Sequence, residues 1–332
     1  MSNNNKKTKT PEYKVTETDA VLMLALWFPI VLILQTVLSS FELKKSQITI
    51  FNYIFSQLAF FLAIIIYFRK KTDAAFLSLP YKKTTDFSPY VMSLVIAVAL
   101  LAQDLIFSYS FGWLLESWDL MPKISLPNSL MFQIIFACLL PAIFEEFIFR
   151  GFLFGALKKR GNLKAAILTS IIFALFHGNL AQLVHQFALS MILCYVVETT
   201  ANLLFANIIH FANNLTVVLV AAYLPEVSKL DVASSANVIS LLIICAIGIA
   251  VLYPAIFLLV KLGGADYDKR MIRNFFKKPT LNSEKNSAVV DKVPHTDQLK
   301  QNDVLNFLTK HSISIAIVFF LGLLLLNTFL SS

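Results

Sequence analysis

The sequence predicts an all-α fold: a polytopic membrane helix bundle of about eight to nine transmembrane helices. Three observations predict it. Hydrophobic residues make up 57% of the 332 positions and charged residues only 14%, whereas soluble domains carry roughly 25% charged residues. The mean hydropathy is +0.71. The apolar residues also fall in continuous runs near the roughly 20 residues a spanning helix needs, without the strict alternation of barrel strands. A soluble enzyme, a disordered chain and a disulfide scaffold are excluded together. Cys138, Cys194 and Cys245 sit inside apolar runs and read as small core hydrophobes.

Taken in order, residues 1–19 are a polar tail with Lys6, Lys7, Lys9 and Lys14 and no signal-peptide pattern. Runs at 20–41, 48–68 and 89–115 are each long enough to span. The run 129–156 carries Pro141, which has no N–H to offer the Ala137 carbonyl four residues earlier, so a kink is expected there. The run 163–177 is short, and Gly178, Asn179 and Leu180 part it from 181–200, which predicts a tight helical hairpin. Runs at 202–224 and 237–260 complete a bundle over 20–260. Residues 261–311 hold ten Lys and Arg among Asp, Asn and Ser, the composition of a mobile basic linker. The last run, 312–330 in the C-terminal segment 312–332, reads as a loosely attached extra helix.

The net charge of +8 fits loops that face anionic lipid better than it fits nucleic acid, which is not an expected partner. Arg69, Lys70, Lys71, Lys82 and Lys83 crowd one loop, and Lys158, Lys159, Arg160 and Lys164 another. With nine spans, both loops, the N-terminal tail and the linker share one side, which the positive-inside rule makes cytosolic. Lys44 and Lys45 are the exceptions on the outer side. The expected location is a bacterial cell membrane, with the N-terminus cytosolic.

Ionisable residues inside a bilayer are costly and point to function. Here they cluster: Glu145, Glu146 and Arg150 in one run, then His177, His185 and His210, with Asn213 and Asn214 behind His210. Glu146 and Arg150 are four apart and share a helix face, so they read as a structural ion pair. Glu145 points about 100° away and is left to face something else. His210 and Asn214 share a face, as do Phe173 and His177. Counted from the cytosolic helix ends, Glu145, His177 and His210 lie at roughly 12 to 20 Å depth, compatible with one polar cavity. An unpaired carboxylate beside histidines reads as a catalytic site. Asn179, Gln182 and His185 are candidates for the cavity mouth. Asp104 reads as structural, and Glu198 as exposed at a helix end. No Ser or Cys sits beside a His on these faces, and there is no HExxH.

The stretches EEFIFRGFLFGAL, ALFHGN and IIHFANN, in that order, resemble the CPBP family, the type II CAAX prenyl proteases and bacteriocin-processing enzymes also called Abi. The resemblance covers roughly residues 90–225. It implies an all-helical intramembrane endopeptidase that hydrolyses a peptide bond in a membrane-embedded or membrane-anchored substrate. By that resemblance Glu145 and His177 activate a water, while His210 and Asn214 hold the oxyanion. Glu146, Arg150 and Phe173 support them. Neutral amide and imidazole N–H groups suit that task, each worth about 3 kcal/mol.

Family names often include "metalloprotease", so zinc held by Glu145, His177 and His210 is the alternative. Two arguments favour catalysis with no metal and no cofactor. Glu145 as a ligand would leave Glu146 as the base, and Glu146 faces Arg150. The sequence also shows no membrane carboxylate to accept the second N–H of either histidine, as ligating histidines usually require. Two other classes compete with the enzyme: a bacteriocin-immunity or scaffold protein of the same fold, and a proton-coupled transporter, for which the chain shows no repeats.

Overall fold

In lipid every backbone N–H and C=O needs a partner within the chain, and a helix supplies one for nearly all of them. The computed structural model describes residues 17–70, 84, 86–117, 129–224, 235–263, 275, 311–318 and 320–322, and among these all regular structure is helical. The helices are α1 (Glu17–Ser39), α2 (Lys45–Lys70), α3 (Ser88–Ser117), α4 (Leu130–Leu157), α5 (Asn162–Phe176), α6 (Leu183–Thr200), α7 (Leu203–Tyr223), α8 (Ser235–Gly263) and α9 (His311–Gly322). The protein is an integral membrane helix bundle. Seven of these helices are long and apolar enough to span a bilayer; α5 and the described part of α9 are shorter. The 15 residues of α5 reach only about 22 Å, against a hydrocarbon core of about 30 Å. The rest of the 312–330 run lies outside the described residues, as do most of the N-terminal tail and most of the 261–311 linker.

The outer faces stay apolar: Ile33, Val98, Ile243 and Tyr253 are all exposed. A bundle in water would bury such groups; in a bilayer they meet acyl chains. Inside, two clusters divide the core. One gathers Phe60, Phe149, Phe152, Phe154 and Phe173 from α2, α4 and α5. The other gathers Ile96, Leu100, Leu193, Phe205 and Ile209 from α3, α6 and α7. Trp27 of α1 donates from Nε1 to the Ser56 carbonyl of α2 at 3.1 Å and packs on Phe60 and Phe176.

The expected hairpin is present. Gly178 takes the left-handed conformation at φ 58°, and Asn179 Oδ1 accepts the Ala181 N–H, capping a short turn of helix at 180–182 that leads into α6. One expectation about the C-terminal region is corrected. The last helix is not loosely attached: Ile313, Ala316 and Phe320 are buried in the first cluster, and Phe320 meets Phe176 edge-on at 5.3 Å. Within the 261–311 segment, the described Phe275 is buried against Tyr195 at 5.1 Å. Both rest on aromatic rings, which bury large areas even within otherwise polar or short segments.

Candidate active site

The site lies on α4, α7 and the C-terminal end of α5. Helix α4 is not uniform. Residues 134–139 and 147–154 wind with π-type hydrogen bonds, on either side of an ordinary α-helical turn at 140–146. Pro141 opens that turn, and π-turns in helices often accompany functional sites. Sequence reading places a kink here without foreseeing the change of winding.

Arg150 and Glu146 form the expected pair, Nη1 to Oε1 at 2.7 Å, both fully buried. Glu146 does more than pair. The same Oε1 accepts the Nδ1–H of His210 at 2.7 Å. Glu145 Oε2 stands 4.0 Å from the other nitrogen of that ring, His210 Nε2, and 3.9 Å from His177 Nε2. Two adjacent carboxylates, about 100° apart on one helix, therefore address the two nitrogens of a single imidazole. The reading of Glu146–Arg150 as only a structural pair is corrected accordingly. The missing signal is tertiary, since His210 lies 64 residues from Glu146. A usable hint was present in the chain: two consecutive glutamates and a histidine whose ring has two nitrogens to satisfy.

His177 is held in the same manner. Its Nδ1 lies 2.7 Å from the Phe173 carbonyl. A carbonyl only accepts, so Nδ1 carries the proton and Nε2 turns a lone pair toward Glu145. Phe173 is buried and its ring walls the site. It meets His177 edge-on at 4.7 Å and His210 at 6.0 Å, and the Arg150 guanidinium lies 4.2 Å above it. Asn214 is half-buried, and its Nδ2 donates to the Ala137 carbonyl at 3.2 Å.

The separations of 3.9 and 4.0 Å from Glu145 to the histidine nitrogens are too long for direct hydrogen bonds but suit one bridging water. The arrangement brings together Glu145, Glu146, Arg150, Phe173, His177 and His210. Asn214 is tied to α4 by its bond to Ala137. His185 points elsewhere, its Nδ1 against Asp104 Oδ1 of α3 in a buried contact, so Asp104 has a partner that no helical spacing reveals. Glu198 is also not simply exposed: it pairs with Lys158 and accepts from Asn162 Nδ2 at 2.7 Å, closing the base of α5 onto α6.

A zinc site is tested by the same geometry. Each histidine Nδ1 does have an acceptor, Glu146 for His210 and the Phe173 carbonyl for His177. The expectation that no membrane carboxylate serves either histidine is therefore corrected for His210; His177 uses a backbone carbonyl. With Glu145 as a ligand, the base would fall to Glu146, whose Oε1 is already engaged by both Arg150 and His210.

Residues 127–216 match the family model described as type II CAAX prenyl endopeptidase Rce1-like. This stretch is similar to a Rce1-like domain. It carries the whole of the site, from Ala137 to Asn214, within the protease-like family that the three motifs suggest, over a narrower span than the expected 90–225. Helix α3, with Asp104, lies outside the matched residues. No curated protein and no solved structure matches the chain.

Proposed function

We propose that this protein is an intramembrane endopeptidase that uses a water activated by Glu145. The observation that carries the reading is the convergence of Glu145 Oε2 on two histidine Nε2 atoms, at 3.9 and 4.0 Å, among otherwise apolar helices. A water between Glu145 and His177 gives one hydrogen to the carboxylate and one to the His177 lone pair. Its own lone pair is left aimed at a substrate carbonyl. As the C–O bond forms, Glu145 takes the proton and then passes it to the leaving amine. The oxyanion is met by His210 and Asn214. For His210 to donate there a proton must sit on Nε2, since its Nδ1–H is already given to Glu146. Glu146 is thus to His210 what the buried carboxylate is to histidine in a hydrolytic triad: it fixes the ring and balances its charge.

The substrate is a membrane-embedded or membrane-anchored peptide. The test is co-expression with candidate small membrane peptides, wild type against Glu145→Ala, read by mass spectrometry. Products found only with the wild type support the enzyme. No product from any peptide, with a proton-dependent flux in vesicles, favours the transporter. Neither product nor flux favours an immunity or scaffold role.

Catalysis here needs no metal. Purified protein stripped with a strong chelator is expected to cleave at the untreated rate. Loss of cleavage that returns with about one equivalent of bound zinc would make Glu145, His177 and His210 ligands instead. The membrane orientation places the N-terminus and the loops 69–88, 157–163 and 261–311 in the cytosol and the C-terminus outside. A reporter fused after Ser332 should then be active only outside. Cytosolic activity would mean eight crossings, with one of the two short helices, α5 or α9, failing to cross.

A further inference from the structure

Pro141 stands four residues after Ala137 and has no N–H. The Ala137 carbonyl therefore lacks the donor an α-helix would place there, and it accepts Asn214 Nδ2 at 3.2 Å from a residue 77 positions away. We propose that Pro141 and the Ala137 carbonyl position Asn214, setting which end of its amide serves the reaction. This inference rests on the peptidase reading above. An amide has a donor end and an acceptor end of nearly equal shape. Facing a carbonyl oxygen, only the NH₂ end is attractive. One hydrogen goes to Ala137 and fixes the amide plane, and the second is left on the same nitrogen, free to turn to an oxyanion. Were the amide reversed, Oδ1 would oppose the Ala137 oxygen and could only repel developing negative charge. His210 sits one turn before Asn214 on α7, so fixing this amide also sets the pair of donors relative to each other. The helix α4 that carries Glu145 thus also orients the group that receives the charge Glu145 creates.

Two double-mutant cycles test this on the full chain in detergent. In the first, Pro141→Ala restores an N–H that competes for the Ala137 carbonyl. Expected is a fall in kcat of roughly tenfold, part of the 10²–10³-fold that a whole oxyanion donor is worth, with KM unchanged. In an Asn214→Ala background the same substitution should change kcat no further. Unchanged kcat, or losses that multiply, would overturn the positioning role. The second cycle reads Tm and needs no activity. Asn214→Ala should lower Tm less in the Pro141→Ala background, where the restored N–H already supplies the donor. Equal losses in both backgrounds would overturn the bond itself. Should Pro141→Ala not accumulate, Asn214→Asp asks the same question. Its carboxylate cannot donate to Ala137, so kcat and Tm should both fall, and an unchanged Tm would overturn the proposal. If the wild type cleaves no peptide, the peptidase reading and the positioning role fail together, while the Tm cycle still decides the bond.

Discussion

Glu145→Gln and His177→Ala each remove cleavage while the protein inserts and accumulates as the wild type does. The expected loss in kcat is about 10³-fold or more, near the upper range for a general base. Glutamine keeps the shape of Glu145 and cannot take a proton from water. Alanine at position 177 removes the lone pair that the Phe173 carbonyl aims at Glu145 through a 2.7 Å bond. Glu145→Gln leaves no buried charge behind, and His177→Ala removes only a neighbour 3.9 Å from Glu145 rather than a tight partner. Stability should therefore change little. The check is a single-turnover cleavage assay alongside a size-exclusion profile of the solubilised protein. Wild-type rates from either variant would take water activation away from Glu145 and His177.

The bundle was legible because lipid imposes one rule along the whole chain: a span must be apolar and long. That rule recovers the helices of the bundle and the hairpin at Gly178. It reads less well where length falls short, as in α5, and where a single aromatic residue decides attachment, as with Phe275 and Phe320. The candidate site was legible in outline because ionisable residues are few inside the bundle, and those few were Asp104, Glu145, Glu146, Arg150, His177, His185 and His210. Helical spacing sorts neighbours on one helix, so it found Glu146 with Arg150. It carries no information across helices, so it missed Glu146 with His210, Asp104 with His185, and Asn214 with Ala137. The last of these had a trace in the sequence, since Pro141 marks a carbonyl that must find its donor elsewhere.

Glu146 and Arg150 give the other large effect, and it separates folding from chemistry. Both are fully buried and joined at 2.7 Å. Removing one partner leaves a buried charge short of its ion pair, Arg150 after Glu146→Leu and Glu146, with only the His210 N–H left to it, after Arg150→Met, at about 3–5 kcal/mol. Folded yield should fall sharply in each single variant. Replacing both removes the pair as a unit, and an apolar pair of similar volume is often neutral or better, so the double variant should recover much of the yield. It should not recover cleavage. Glu146 also accepts the Nδ1–H of His210, and without it the ring loses the group that fixes its orientation and balances its charge. The comparison is a buried carboxylate behind a catalytic histidine, whose loss lowers kcat by roughly 10⁴-fold; here at least about 10²-fold is expected. The measurement is yield by fluorescence-detected size exclusion together with cleavage by the same preparation. A double variant that folds and cleaves normally would confine Glu146 to the ion pair. Single variants that accumulate normally but do not cleave would show that the pair serves His210 and the reaction more than it serves the fold.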